Sequence, residues 1–346
     1  MANRLLDLLA VRRYLLADGA TGTNLFEAGL QTGEAPDLWI EERPEEVLKL
    51  HRSMIDAGSD LILTDTFGGT RYRLKLHGAE ARVKSLNRRG GELAREAAEA
   101  AGRPIIVAGS MGPTGELIEP LGALSFEACR DAYAEQAEGL AAGGVDVLWL
   151  ETLSSPEELK AAIAGASRVG LPITATLSFD TNGRTMMGVT PAAALELFRS
   201  AEPSLTAFGA NCGVGAAELA ATILGLTREA NPDEVIIAKG NCGVPSWQEG
   251  RIHYDGTPEL MAEYARIVRA AGARIIGGCC GTTPEHIRAM HQALEDYEPA
   301  ERPTVEAITT RLGRLSEGTM GLWAVAGGAA GPSSRRPRRR GETPHP

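Results

Sequence analysis

Eight short apolar runs alternate with amphipathic stretches along most of the chain. The runs begin at Tyr14, Asp60, Ile105, Val145, Ile173, Leu205, Val235 and Ile275. Strands that are apolar nearly throughout, and that helices separate, indicate a parallel sheet buried on both faces. Eight such units predict an α/β protein with a single (β/α)8 TIM barrel.

Polar and glycine-bearing segments follow these runs at the carboxyl ends of the predicted strands. The residues at these ends include Asp18, Asp65, Glu151, Asn211, Asn241 and Cys279. A doubly wound open sheet is the alternative fold, but no Gly-x-Gly-x-x-Gly segment follows the first run. Barrel enzymes carry their active sites on the face where the strands end, so we expect the chemistry there.

The periodic pattern breaks near Glu298, which predicts a barrel over residues 1–298. Residues 299–325 are then a C-terminal extension, in which residues 303–315 could form one more short helix. Residues 326–346 are rich in glycine, proline and arginine, a composition typical of a disordered tail. If the protein is a homo-oligomer, we expect the extension to supply the assembly contact.

Charge and hydropathy limit which partners the protein can bind and where in the cell it is expected. The formal net charge is −10, which argues against nucleic acid as a partner of the main body. No apolar run approaches the roughly 20 residues that span a membrane. Asp7 lies where a signal peptide would be apolar. We therefore expect a cytoplasmic protein that does not contact membranes.

The cysteines point to a metal rather than to disulfides. There are five, an odd number, and two are adjacent, which favours a reducing compartment. Cys279 and Cys280 end one predicted strand between glycines, and Cys212 ends another. In a barrel these three thiols can meet in one cavity. They predict one Zn²⁺ per chain with an open fourth position.

Two alternatives to an open zinc site remain. The thiols could be small core residues, as single buried cysteines often are. Cys242 also follows a strand, and as a fourth ligand it would close the site and make a structural, non-catalytic binding barrel. The all-thiolate ligand set itself favours alkyl transfer, because it leaves a further bound sulfur electron-rich and nucleophilic. Histidine ligands would suit the activation of water better.

Five short motifs occur in order along the chain: DGATGT at 18–23, DTF at 65–67, ET at 151–152, GANC at 209–212 and GGCCGTTP at 277–284. Together they resemble the homocysteine S-methyltransferase family, which includes betaine–homocysteine methyltransferase and the homocysteine module of cobalamin-dependent methionine synthase. The resemblance spans about residues 12 to 296 and implies a zinc barrel that methylates the sulfur of L-homocysteine to give L-methionine.

The resemblance also implies roles for polar residues at the strand ends. It places Glu151 and Asp18 near the ammonium group of the amino acid, with backbone contacts from Gly19. Asn211 and Asn241 are further candidates for substrate binding. Helix capping or a solvated loop is the structural alternative for the two acids, and Asn211 could instead fix its own turn.

The methyl donor is the least determined part of the function. Betaine is the first candidate, since aromatic side chains that hold a quaternary ammonium could come from Trp39, Tyr72, Trp247 or Tyr254. The segment at 65–70 looks closer to the methionine synthase module. The alternatives are therefore a split, cobalamin-dependent methionine synthase with a separate cobalamin protein, and S-methylmethionine as donor.

Overall fold

The computed structural model describes residues 3–248 and 251–326 and confirms the (β/α)8 barrel. Eight parallel strands form a nearly closed barrel, and a two-stranded antiparallel hairpin follows the seventh of them. The barrel strands are β1 (Leu15–Leu16), β2 (Leu61–Leu63), β3 (Ile106–Met111), β4 (Val147–Leu153), β5 (Ile173–Leu177), β6 (Ala207–Cys212), β7 (Ile236–Gly240) and β10 (Ile275–Gly278). The hairpin strands are β8 (Pro245–Gln248) and β9 (Arg251–Tyr254).

Helices surround the barrel, and local capping sets where many of them begin. Ser and Thr side chains accept from the first turn in six of them, and proline opens five, because its ring fits the first helical position. The helices are α1 (Arg4–Val11), α2 (Gly22–Glu27), α3 (Trp39–Glu42), α4 (Pro44–Asp56), α5 (Arg71–Lys75), α6 (Val83–Ala100), α7 (Phe126–Ala142), α8 (Pro156–Ala166), α9 (Pro191–Arg199), α10 (Ala216–Leu226), α11 (Pro258–Ala271), α12 (Pro284–Leu294), α13 (Val305–Leu312) and α14 (Glu317–Ala326).

The amino-terminal half of the barrel interior is filled with apolar side chains. This lower half is made of Leu15, Leu61, Ile106, Val147, Trp149, Ile237 and Ile275, among others. Leu5 and Leu9 of α1 belong to the same cluster, so α1 covers the amino end of the barrel. A larger apolar cluster lies between the strands and the outer helices. The carboxyl end of the barrel is consequently the end that is left open for a site.

The seam between β1 and β2 is closed by backbone and side-chain hydrogen bonds together. The eight-strand ladder runs from β1 through β10 around to β2, and a single bridge links the two edges. At the lower end, the Asp60 N–H donates to the Leu16 carbonyl at 2.7 Å, and Asp60 Oδ2 accepts from the Leu16 N–H at 3.1 Å. At the upper end, the Asp18 N–H donates to the Leu61 carbonyl at 3.0 Å, and Asp18 Oδ2 accepts from the Leu63 N–H at 2.8 Å. Each aspartate therefore adds a side-chain hydrogen bond to the backbone closure.

The C-terminal extension is helical, as its sequence suggests. The helix expected within residues 303–315 is α13, and α14 follows it. The Thr319 hydroxyl of α14 donates to Glu218 Oε2 of α10 at 2.6 Å, which docks α14 against the barrel. The three-part division of the chain stays a prediction. The first residue of the proposed tail, Ala326, ends α14, and residues 327–346 lie outside the described residues. Within the described ranges, no helix is both long and apolar enough to cross a membrane.

Candidate metal centre

Three sulfur atoms lie together at the carboxyl end of the barrel. The Sγ atoms of Cys212, Cys279 and Cys280, here called the cysteine cup, are all within 4.8 Å of one another. The Cys212 and Cys280 sulfurs are 3.9 Å apart. Sulfurs that share a tetrahedral zinc at bonds of about 2.3 Å lie roughly 3.8 Å apart. The cup therefore has the dimensions of a three-thiolate zinc site.

Glycines and an unusual backbone conformation bring the cup together. Cys212 has a φ of +62°, a left-handed conformation that few residues other than glycine adopt. A side-chain carbon on Gly278 would collide with Thr282, so only glycine allows the turn that precedes Cys279. Through this bend two neighbouring thiols reach one cavity, which an extended strand would prevent.

The thiols of the cup resist ionisation by themselves. The hydrogen bond with Cys279 lowers the pKa of Cys212, but the hydrogen bond with Cys280 and burial outweigh it, and the pKa is about 12. A coordinated divalent cation reverses this preference, because it deprotonates the thiols that bind it. The donor set thus suits a metal ion better than it suits free thiolates.

Cys242 does not join the cup. It is 1% exposed, and its Sγ donates to the Gly256 carbonyl at 3.0 Å. Burial, followed by the charge of Asp255, raises the pKa of the Cys242 thiol to about 12. Among the described side chains, the group that could hold a metal contains three cysteines and not this one. The geometry therefore favours the open site over the closed, structural one.

A layer of polar side chains lies inside the barrel between the lower half and the cup. We call it the mouth layer, and it consists of Asp18, Ser110, Glu151, Thr176, Asn211 and Lys239. Glu151, which is 7% exposed, accepts from the Ser110 hydroxyl at 2.5 Å. Burial raises the pKa of Glu151, while the nearby Lys239 ammonium lowers it. Glu151 thus lies inside the barrel, and its role as a ligand of the substrate ammonium stays a prediction.

Asn211 acts on the site through its neighbours. Its side chain is fully buried, and Oδ1 accepts from the Thr152 N–H at 2.8 Å and the Thr176 hydroxyl at 2.6 Å. Its Nδ2 lies 3.5 Å from Glu151 Oε2 and 3.8 Å from Cys279 Sγ. Thr152 has a φ of +60°, which is costly for a β-branched residue. Asn211 holds this strained turn, and substrate contact by Asn211 stays a prediction.

Asn241 and Gly19 both lie against the backbone around the cup. Asn241 Nδ2 donates to the Gly213 carbonyl at 2.7 Å, and its Oδ1 accepts from the Cys280 N–H at 3.0 Å. Asn241 therefore ties together the two turns that carry the cysteines. A side-chain carbon on Gly19 would lie 2.5 Å from the Thr282 carbonyl oxygen. Their contacts with substrate stay predictions, as does the metal-ligand role of the cysteines.

Lys239 is the functional-site residue that the sequence analysis missed. It is the last residue but one of β7, and its Nζ lies 2.6 Å from Asp18 Oδ1. The available signal was a lysine at the end of an apolar strand, since lysine is rarely buried without a partner. The pairing also changes the expectation for Asp18, because Lys239 and the Leu63 N–H already occupy its two carboxylate oxygens.

The aromatic residues proposed for donor binding lie in different surroundings. Trp39 is 3% exposed in a cluster between outer helices, and the Arg43 guanidinium lies 4.8 Å above its ring, which argues against a donor contact. Tyr72 packs on the main core. Trp247 lies in β8, and its side chain is outside the described part of the structure. Tyr254 lies beside the cup, since a side-chain carbon on Gly281, the residue after Cys280, would be 2.4 Å from its ring.

Comparison with known proteins identifies relatives for this site and fold. The methionine synthase of Mycobacterium tuberculosis (strain ATCC 25618 / H37Rv) is 32% identical over 330 residues, covering 89% of this chain and 27% of the relative. That of Mycobacterium leprae (strain TN) is 32% identical over 323 residues, covering 88% and 26%. The chain thus spans about a quarter of the length of these curated relatives.

A solved structure and a family model agree with this relationship. The metallated form of the homocysteine methyltransferase MmuM from Escherichia coli superposes with a TM-score of 0.71 and 27% identity, over 84% of this chain and 99% of that one. The family model described as homocysteine S-methyltransferase matches residues 15–294, which include the whole barrel and the cysteine cup. The chain therefore belongs to the homocysteine S-methyltransferase family and is a methyltransferase.

Proposed function

We propose that the protein transfers a methyl group to the sulfur of L-homocysteine and releases L-methionine, using one Zn²⁺ per chain. Cys212, Cys279 and Cys280 are the proposed ligands. The observation that carries the proposal is the cysteine cup, whose three sulfurs lie at the mutual spacing of a zinc-thiolate site.

The chain's own residues prepare this site for a thiol substrate. Bound zinc supplies a coordination position at which a thiol loses its proton at neutral pH. Asn241 ties together the two turns that carry the cysteines, and the Asn211 side chain lies beside the Cys279 sulfur, so both hold the proposed ligands in place. Cys242 is bonded to Gly256, so it leaves that side free for a substrate sulfur.

Glu151 is the proposed ligand of the substrate ammonium group. Its carboxylate is bonded to the neutral Ser110 hydroxyl and lies beside the neutral amide of Asn211, which leaves its negative charge available. Asp18 was proposed for the same role, but its two carboxylate oxygens are bonded within the chain. Backbone contact through Gly19 remains part of the proposal.

Three kinds of methyl donor remain candidates. Betaine stays the first candidate, and of the four aromatic residues considered for its binding, Tyr254 is the one that the described structure places beside the cup. The second candidate is methylcobalamin carried by another protein or domain. One observation favours it, namely that the curated relatives are methionine synthases of which this chain spans only about a quarter. S-methylmethionine is a third possibility.

A donor panel tests the proposal. Zinc-loaded protein and homocysteine are incubated with betaine, S-methylmethionine, methylcobalamin or 5-methyltetrahydrofolate, and methionine is quantified. We expect methionine from betaine; formation from methylcobalamin alone would replace betaine by the second candidate. A protein that holds one zinc per chain, binds no homocysteine and makes no methionine would contradict the proposal and support a structural zinc barrel.

A further inference from the structure

Lys239 is a buried cation in the middle of the mouth layer. Only 2% of its surface is exposed, and its Nζ donates to Asp18 Oδ1 at 2.6 Å and to the Asp18 carbonyl at 3.0 Å. A buried lysine is costly unless a partner compensates its charge. Here the compensating charge is that of a residue expected to bind substrate.

Asp18 has structural partners at every oxygen. Oδ2 accepts from the Leu63 N–H and closes the upper end of the seam between β1 and β2. The carbonyl oxygen accepts from the Gly278 N–H at 3.1 Å as well as from Lys239, and Gly278 directly precedes Cys279. The pair of Asp18 and Lys239 therefore joins the ends of β1, β2, β7 and β10 beneath the cup.

The mouth layer holds two carboxylates and one ammonium, so one carboxylate has no ammonium of its own. Asp18 forms the direct ion pair with Lys239, whereas no ion pair of Glu151 occurs among the described residues. Lys239 acts on Glu151 through its charge alone, which lowers the pKa of the Glu151 carboxyl without an ion pair between them. An incoming ammonium group thus meets one carboxylate that is already neutralised and one that is not.

We propose that Lys239 is a positioning residue that neutralises Asp18 and so makes Glu151 the carboxylate that receives the ammonium group of the amino-acid substrate. This inference rests on the proposed binding of homocysteine. It assigns Asp18 to closing the barrel and supporting the cysteine turn, and it assigns Lys239 to keeping that carboxylate from competing with Glu151.

The test compares two thiols that differ at the amino group. Zinc-loaded full-length protein is titrated calorimetrically with homocysteine and with 4-mercaptobutanoate, which has the thiol and the carboxylate but no ammonium. The variants are Glu151→Gln, Lys239→Met and the double variant Asp18→Asn with Lys239→Met. We expect Glu151→Gln to reduce the preference for homocysteine roughly 30-fold, since a charge-assisted hydrogen bond is lost.

The double variant separates charge neutralisation from packing. Lys239→Met alone leaves a buried carboxylate without its cation, so it should weaken the binding of both thiols and lower the melting temperature. Replacing Asp18 by Asn as well removes that charge while keeping an oxygen for the Leu63 N–H. We expect the double variant to regain both affinities to within about fivefold and to keep the preference for homocysteine.

Two results would overturn the inference. A double variant that loses the preference for homocysteine as Glu151→Gln does would show that Asp18 or Lys239 selects the substrate directly. A double variant no better than Lys239→Met in affinity and melting temperature would show that Lys239 acts by packing. If zinc-loaded wild-type protein binds neither thiol, it is the proposed function that fails, and the inference falls with it.

Discussion

The lower half of the barrel interior and the mouth layer are built on the same strands but have opposite chemistry. On β4, Trp149 belongs to the lower half and Glu151 to the mouth; on β7, Ile237 and Lys239 are related in the same way. Side chains two residues apart on a strand point to the same face, so one step of about 7 Å separates core from site. Stability and function thus occupy neighbouring layers of one interior.

The two layers differ in the interactions that hold their side chains in place. The lower half relies on burial of apolar surface, which tolerates a change only at the cost of a cavity. The mouth layer relies on hydrogen bonds that connect Ser110 to Glu151, Thr176 to Asn211 and Lys239 to Asp18. Substitutions in the two layers should therefore have different signatures, loss of stability below and loss of binding above.

The largest effect is expected at the cup. Cys279→Ala removes a proposed ligand, so zinc affinity should fall by more than about 100-fold, beyond the usual effect of losing a supporting residue, and methyl transfer should cease. Cys242→Ala is the matched control, because its thiol is buried and bonded to Gly256. Metal content and chelator competition measure both. Zinc loss in the control would mean that Cys242 is a fourth ligand.

The lower half should give the reverse signature. Ile237→Ala leaves a cavity at a fully buried position and should cost about 3 kcal/mol of unfolding free energy, with zinc affinity per folded molecule unchanged. Urea unfolding measures the first quantity and chelator competition the second. Ile237→Val is the graded control, at about 1 kcal/mol. A large change in zinc affinity for Ile237→Ala would erase the distinction between the two layers.

A substitution of Asn211 should lower both the stability and the zinc affinity, each by less than the two preceding variants. Asn211→Ala leaves the Thr152 N–H without its acceptor, which should cost about 2 kcal/mol, and it should weaken zinc binding about tenfold through Cys279. Asn87→Ala is the control, since Asn87 is equally buried but holds the backbone of Gly69 and Val83. Equal zinc affinities in the two variants would remove the connection between Asn211 and the cup.

The smallest effect concerns a buried polar group outside both layers. His51 in α4 has no hydrogen-bond partner at Nε2 within the described part of the chain, and burial lowers its pKa to about 4. Below about pH 6.5 the unfolded chain takes up a proton that the folded chain refuses, so stability falls as the pH falls toward 4. At pH 5.5 this costs on the order of 1 kcal/mol.

The pH dependence of unfolding checks this contribution. His51→Gln should lose less stability than wild type between pH 7.5 and 5, whereas His77→Gln, at an exposed position, should follow the wild type. Parallel curves for His51→Gln and wild type would contradict a neutral, buried His51.

Features set by local sequence were predicted well. Apolar runs located all eight barrel strands, because parallel strands buried on both faces admit few polar residues. The glycines around Cys279 and Cys280 indicated the bend that the cup requires, and the fold then brought Cys212 to them. The helix in the extension was also placed correctly, as α13.

Features that depend on distant partners were not predicted. Lys239 and Asp18 are 221 positions apart, and the sequence around either residue contains no signal that the two pair. The same holds for α1, whose Leu5 and Leu9 pack beneath the barrel, and for Trp39, whose neighbours come from several outer helices. The β8–β9 hairpin was missed because its strands are short and polar.

The side-chain hydrogen bond that Asp18 adds to the seam has a consequence for engineering. A cysteine cup grafted onto another eight-stranded scaffold would need Asp18 and Lys239 transferred as a unit, because the aspartate that joins β1 to β2 is also the counter-ion beneath the cup. Moving only the three cysteines would leave the host to close its first two strands by other means. In this molecule, the smallest unit to transfer is therefore the three cysteines of the cup together with Asp18 and Lys239. These five residues lie at the ends of four strands, whereas the cysteines alone lie at the ends of two.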